Sequence, residues 1–419
     1  MKKMLSPILP LILLTSCCKE PLPNTPPPEE PANAPKLEVL WQQPLLPDTS
    51  EHSADAHIVI DNHVISTVNF LSPSATVYAR NVETGALDWT FDNFVTPVDG
   101  FGDSQVFGVN PQTLLVNKWN QTYCLDPETG SVQVQTNVSD VGGWSPPQAY
   151  VFDEYIYNSH YSGGSPYSDF DAIVRRHHTS TSWDTLQSFH SMGDTLFPIT
   201  NPVIPWVSPS GDTILLTRVT YLSKGIPPLN GRLNRAHLYA YNLRTQSYEW
   251  QFKDFVPGGN MSAEPPTIDG DRMYLIGFPD LYCIDLNTGN ILWKKEYEES
   301  PGVCSTIHEN LLIVLSSNRG CWGLDKYTGQ EVWFQPDPPG TATRLRYFDG
   351  VVYFSTTGSG RLFAINASNG ELIWNEKSPN IGKYSNVGFD WNQIAIDEER
   401  RVLYACDRYF IMCIKLPEI

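Results

Sequence analysis

The sequence predicts an all-β fold: an eight-bladed β-propeller of four-stranded antiparallel blades, with the ring closed by an N-terminal strand that completes the C-terminal blade. Three observations predict it. A strand–turn–strand motif recurs along the 419 residues. Its turn glycines or their equivalents stand at 85, 130, 246, 289, 329 and 370, a period of the size that marks a ring of repeated units. The last copy of the motif lacks a final strand, and an unclaimed strand pattern stands at the opposite end of the chain.

The repeat is clearest in three runs. Val77-Tyr78-Ala79-Arg80-Asn81-Val82-Glu83-Thr84-Gly85 leads to Trp89, Leu281-Tyr282-Cys283-Ile284-Asp285-Leu286-Asn287-Thr288-Gly289 to Trp293, and Leu362-Phe363-Ala364-Ile365-Asn366-Ala367-Ser368-Asn369-Gly370 to Trp374. The frame returns at Tyr123 to Asp126 with Gly130, at Tyr239 to Asn242 with Trp250, and at Trp322 to Asp325 with Gly329 and Trp333. Alternating apolar residues make a strand, Asp or Asn caps a tight turn, Gly supplies the positive φ, and the next strand runs back to the Trp. Two copies depart: Val134 replaces the Trp and Gln246 the Gly. Upstream of each copy, turn signals such as Asp61-Asn62, Asp269-Gly270, Glu309-Asn310 and Asp349-Gly350 join two further short strands. A four-stranded unit results.

The interval from 130 to 246 holds two units, the first with a worn copy at Ala172-Ile173-Val174-Arg175-Arg176 and Trp183 near the Trp position. The last copy, Tyr409-Phe410-Ile411-Met412-Cys413, ends without a fourth strand, and Leu37-Glu38-Val39-Leu40-Trp41 imitates Leu87-Asp88-Trp89. Eight units follow. Ala79, Cys124, Val174, Ala240, Cys283, Gly323, Ala364 and Cys413 follow the aromatic residue around the ring, so this is a small buried packing position. Cys124, Cys283 and Cys413 are therefore expected as buried free thiols. Cys304 and Cys321, in neighbouring strands of one blade, are compatible with either a pair or two thiols.

These runs resemble the PQQ-like β-propeller repeat, with its apolar-aromatic-Ala-x-Asp-x-x-Thr-Gly-x-x-x-Trp pattern, over nearly all of the chain after residue 36. That propeller serves both quinone-dependent dehydrogenases and non-enzymatic scaffolds. For a dehydrogenase the resemblance implies a quinone stacked on a channel Trp, a calcium held by carboxylate and amide ligands, an Asp base and often two adjacent cysteines. Here the adjacent pair is Cys17-Cys18, and Trp41, Trp89, Trp250, Trp293, Trp333 and Trp374 are absorbed by blade packing. The expectation is no catalytic residue, no cofactor and no metal. His177 and His178 fall on adjacent strand positions, which point to opposite faces and so cannot readily share an ion. Asp269-Gly270-Asp271 starts like a calcium loop, but Leu281 stands where the twelfth-position Glu belongs.

At the N terminus, Met1-Lys2-Lys3 is a positive n-region and Leu5 to Leu14 an apolar core too short to span a bilayer, which together read as a signal peptide. Leu14-Thr15-Ser16-Cys17 resembles a bacterial lipobox, which implies acylation of Cys17 and, with Cys18 following rather than Asp, sorting to the outer membrane. Seven prolines lie between Pro21 and Pro35. Such a segment is a semi-rigid spacer reaching roughly 60 Å from Cys17 to Lys36. The domain reading is thus 1–16 lipoprotein signal peptide, 17–36 Pro-rich tether and 37–419 propeller.

The 28 basic and 46 acidic residues set a net charge of −18, and no basic stripe offsets it. Nucleic-acid partners are excluded on that ground. What remains for function is loop length. Asn158 to Asp171 carries Tyr161, Tyr167 and Phe170 around Ser162-Gly163-Gly164-Ser165-Pro166, and Leu222 to Ala236 carries Lys224, Arg232 and Arg235. Both connect second to third strands of adjacent blades, so they open on one face, with Trp144 beside them. Exposed aromatics and arginines on loops suit a protein-binding hot spot. The competing reading has Asp169 and Asp171 neutralising Arg232 and Arg235 while the aromatics fold back. The functional expectation is a non-enzymatic envelope lipoprotein that acts as a protein-binding scaffold. By resemblance to the propeller lipoproteins of the outer-membrane β-barrel assembly machinery, its setting would be outer-membrane protein assembly. Its partners would be envelope proteins, and the membrane through the lipid anchor, on the periplasmic or the surface face. A surface lipoprotein binding a glycan or adhesion ligand is the alternative, and a PQQ-dependent dehydrogenase the third.

Overall fold

A computed structural model describes residues 37–46, 53–69, 76–92, 105–118, 121–137, 143–144, 149–162, 170–191, 196–200, 203–223, 235–257, 265–277, 280–297, 304–316, 320–336, 344–356, 359–384, 387–389 and 393–418. Contacts divide the chain into Met1–Ala34 and Pro35–Ile419. Cys17 and the proline-rich stretch lie outside the described residues.

Eight antiparallel sheets form the blades, each built in chain order from an inner to an outer strand. Blade 1 spans 53–91, blade 2 105–137, blade 3 143–190, blade 4 196–257, blade 5 267–296, blade 6 304–335 and blade 7 346–377. Blade 8 takes three strands from 395–415 and its outer strand, Val39–Pro44, from the other end of the chain. Trp41 pairs with Cys413 and Pro44 with Phe410. The backbone bond from Leu45 N to Tyr409 O extends the closure by one residue. The expected ring closure is what the structure shows.

The repeat encodes a contact between successive blades. In blade 5 the Asp285 carboxylate accepts from the backbone N–H of Asn287 and Thr288 and from the Thr288 hydroxyl, while Gly289 turns at φ +75°. Trp250 of blade 4 lies flat on that glycine and donates its indole N–H to Leu286 O at 2.7 Å. A Cβ on Gly289 would stand 2.7 Å from the indole, so the position needs Gly for contact as well as for φ. The same docking joins Trp41 to Val82 O, Trp89 to Pro127 O, Trp293 to Lys326 O and Trp333 to Ala367 O. Within its own blade each Trp sits opposite the small residue: Ala79, Ala240, Cys283, Gly323, Ala364 or Cys413. A register shift follows that residue in blades 1 to 7.

Two assignments change. In blade 3 the shift falls between Ile173 and Val174, so Ile173 takes the position expected of Val174. Its partner is Gln187, and Trp183 lies ahead of the outer strand, where the Arg176 guanidinium stacks over it at 5.2 Å. The two strands of this worn copy are joined by a longer turn, which carries the Trp out of register. Cys304 and Cys321 are not in neighbouring strands: both pair with Leu315 from opposite sides. They are free, as are the buried Cys124, Cys283 and Cys413. Burial pushes the Cys124 and Cys283 thiols up, and that of Cys413 to about 12, which keeps them protonated and inert.

Trp374 tests the docking. It is buried against Tyr353, but blade 8 has no turn between its third and fourth strands, because its fourth strand is Val39–Pro44, and the indole N–H has no partner among the described residues. Trp333→Phe and Trp374→Phe remove similar ring volume, yet only the first breaks a hydrogen bond. Trp333→Phe is expected to cost about 1 kcal/mol more than Trp374→Phe, read from urea denaturation midpoints.

Candidate functional site

Blades 3 and 4 depart from the others at the end where second strands connect to third. In blade 3 the inner strand is in two pieces: Tyr150–Phe152 pairs with Tyr155 to Tyr157, and Gly143–Trp144 pairs with Tyr161 and Ser162. Blade 4 repeats the device, with Ile204–Val207 against Thr213 to Leu216 and Leu196–Thr200 against Val219 to Ser223. The second strand of blade 4, Thr213–Ser223, has 11 residues where the matching strand of blade 5, Arg272–Ile276, has 5. Five of the six extra residues lie on the loop side, and at ~3.3 Å each they carry the strand roughly 17 Å further toward that face.

The structure brings several expected residues to this lobe. Trp144 stands opposite Tyr161, and Tyr161 opposite Asp171. Phe170 opens the third strand of blade 3, its ring 5.3 Å from that of His190. Arg235 opens the third strand of blade 4, opposite Tyr221 and Pro257. Tyr167, Lys224 and Arg232 lie outside the described residues, as does Asp169. Asp171 is fully buried, accepts a 2.7 Å bond from Ala172 N, and lies near enough to Tyr221 for its charge, after burial, to raise that phenol's pKa. Its place is the junction between blades.

Aromatic packing makes that junction firm. Tyr157, Phe189, Tyr221 and Tyr239 share one apolar cluster across blades 3 and 4. The Phe189 and Tyr239 rings are 5.3 Å apart, those of Tyr221 and His237 4.9 Å, and His237 Nδ1 lies 3.1 Å from the Tyr239 hydroxyl. Nothing in the motif pattern signalled the extra inner strands, because Gly143-Trp144 and Leu196–Thr200 are too short to carry a periodicity.

A cavity of about 740 Å³ lies among residues of seven blades, with a mixed lining whose apolar part includes Ile58, Val106 and Phe107. Its polar lining is Thr306, Arg344, Arg346, Gln393 and Glu398, with Tyr150 and Tyr347. Arg346 donates from Nε to Ile394 O at 3.1 Å, and burial raises the Tyr150 phenol despite the charge of Arg344. A quinone with its calcium needs an aromatic plate, several anionic or amide oxygens and a carboxylate base. Among the described residues the lining offers one carboxylate, one amide, two guanidinium groups and no Trp, Asp or Cys. This donor set does not fit the group.

His177 and His178 behave differently from the strand reading. The strand Phe170–His177 ends at the first histidine, so alternation no longer governs the second. Both rings turn toward Glu154, their centroids 4.6 Å apart.

Ring, repeat and docking tryptophans together define an eight-bladed β-propeller whose repeat resembles the PQQ-like one. The family model described as Outer membrane protein assembly factor BamB matches residues 234–406, under half of the chain, and the ring is similar to that family's. BamB from Moraxella catarrhalis superposes with a TM-score of 0.58 at 12% identity, over 91% of this chain and 98% of that one. Quinohemoprotein alcohol dehydrogenase from Comamonas testosteroni gives 0.61 at 14% identity, over 92% and 78%. At such identities the likeness shows the fold alone. A curated relative, tetrathionate hydrolase of Acidithiobacillus ferrooxidans, is 23% identical over 184 residues, covering 36% of this chain and 34% of that protein. The chain thus matches about a third of its length.

Mixing the purified protein with pyrroloquinoline quinone and calcium, then desalting, is expected to leave no stoichiometric quinone absorbance. A retained quinone at one per chain would contradict the reading of the cavity lining.

Proposed function

We propose that the protein is a non-enzymatic, lipid-anchored scaffold of the bacterial envelope that holds partner proteins during outer-membrane protein assembly. The observation that carries this reading is the match of the BamB family model over residues 234–406, from the third strand of blade 4 to the second strand of blade 8, supported by the superposition on BamB over most of both chains. The fold alone would not choose, because dehydrogenases share it. The cavity donors weigh against the quinone branch, and the projecting lobe of blades 3 and 4 supplies a place for a partner.

A rigid ring suits such a role. Its blades are clamped to one another, so the lobe is presented without the ordering cost that a free loop of the same length would carry. Trp144, Tyr161, Tyr167 and Phe170 supply aromatic anchors, while Lys224, Arg232 and Arg235 supply a cationic element on an otherwise acidic protein. Acylation at Cys17 would keep the ring at the membrane where its partners reside.

Photo-crosslinking amino acids at Trp144 and Tyr161, compared with Asn287 on the opposite turn face, test the surface in intact envelopes. Adducts to envelope proteins are expected from the first two positions, while equal adducts from Asn287, or none from the lobe, would overturn the assignment. Cys17→Ser is expected to abolish palmitate incorporation and to move the protein out of the membrane fraction. Unchanged labelling in that variant would refute the anchor.

A further inference from the structure

We propose that Glu154, His177 and His178 form a binding site for a divalent transition-metal ion of the zinc type, on the turn face of blade 3. One carboxylate oxygen faces each imidazole: Glu154 Oε2 lies 3.7 Å from His177 Nε2, and Glu154 Oε1 lies 3.8 Å from His178 Nε2. The candidate ligand atoms all lie within 4.8 Å of one another. Two donors bound to one zinc at ~2.1 Å stand roughly 3.4 Å apart in tetrahedral geometry. Closing the site therefore draws the widest pair together by up to about 1.4 Å, a movement that the exposed Glu154 side chain can supply while the mostly buried His178 stays in place.

The backbone holds the three residues in place. Asp153 and Glu154 form the turn between the first two long strands of the blade, both at positive φ, 48° and 64°. Tyr155 pairs with His177 in register, and His178 N donates to Glu154 O at 3.0 Å, so the two turns are tied directly together. Buried Arg176 donates to the carbonyls of His177, His178 and Ser180, which fixes the second turn from within the blade. The edge of Tyr155 packs on the His177 ring at 5.4 Å. Thr179 Oγ1 lies 2.8 Å from His177 Nδ1. Thr179 N donates to the same nitrogen at 3.3 Å, so the turn fixes the orientation of the His177 ring with Nε2 on the Glu154 side.

Two imidazoles and one carboxylate select zinc, copper or nickel over calcium and magnesium, which prefer oxygen donors alone. Glu154 is 59% exposed, so the remaining coordination positions face solvent and are open to water or to a donor from a bound partner.

Calorimetric titration of the full-length, detergent-purified protein with zinc chloride tests the site. One saturable zinc is expected, with X-ray absorption showing two imidazole donors. His178→Ala and Glu154→Gln should each weaken binding at least tenfold. Calcium in excess should leave the isotherm unchanged. Glu154→Gln keeps the exposed side chain's shape, so loss of zinc there with an unaltered unfolding midpoint separates ligation from misfolding. A wild-type isotherm in the His177→Ala, His178→Ala double variant, displacement by calcium, or no saturable binding to the wild type would overturn the proposal.

Discussion

The structure depends on one contact, made five times: an outer-strand tryptophan lying on the Asx-capped glycine turn of the following blade, its N–H bonded to a turn carbonyl. Each partner in the contact demands the others. The flat approach excludes a side chain on the glycine, the glycine closes a turn that Asp or Asn stabilises, and the turn exposes the carbonyl that satisfies the indole. Opposite the Trp within its own blade the residue must be small, which is why Ala, Gly and Cys alternate there. The ring adds its area to the apolar clusters that join neighbouring blades, and the hydrogen bond sets its orientation.

Where the contact is absent, other devices join the blades. Between blades 7 and 8 Trp374 has no acceptor among the described residues, and it packs in one apolar cluster with Tyr353, Leu403, Ala405 and Met412 that makes the joint. Between blades 2 and 3 Val134 joins an apolar cluster with Leu115, Cys124 and Ile156. Between blades 3 and 4 Gln187 occupies the Trp position, and the aromatic cluster around Phe189 and Tyr239 makes the joint. Release from the docking frame coincides with longer strands, split inner strands and long connections. The part of the ring freest to vary in shape is the part that projects.

That division explains how a single fold is shared by assembly factors and dehydrogenases. The docking frame sets the ring and leaves both the cavity lining and the loop face unconstrained. In this chain the cavity has a mixed lining with two arginines and one carboxylate among the described residues, while the distinctive elaboration lies on the face of blades 3 and 4. The hairpin carrying Glu154 lies at the other end of the same blade 3, so that blade departs from the repeat at both ends.

Much of the fold was legible in the chain itself. The Asx-x-x-Thr-Gly-x-x-x-Trp run carries the chemistry of its own turn and the docking partner for the next, so local pattern and blade contact coincide at Asp285, Gly289 and Trp293. The imitation of Leu87-Asp88-Trp89 by Val39-Leu40-Trp41 was enough to place the closing strand. Blade 3 was read with errors because its copy lacks those residues, so nothing pinned the register and Ile173 and Gln187 were missed. Sequence by itself determined the eight-fold repeat, its small buried cysteines and the closing strand, because each depends on residues within one period. Only the tertiary structure decided the split inner strands of blades 3 and 4, the lining of the central cavity and the convergence of Glu154, His177 and His178. Those arise where hairpins distant in sequence are set side by side by strand register, and no local pattern encodes that distance.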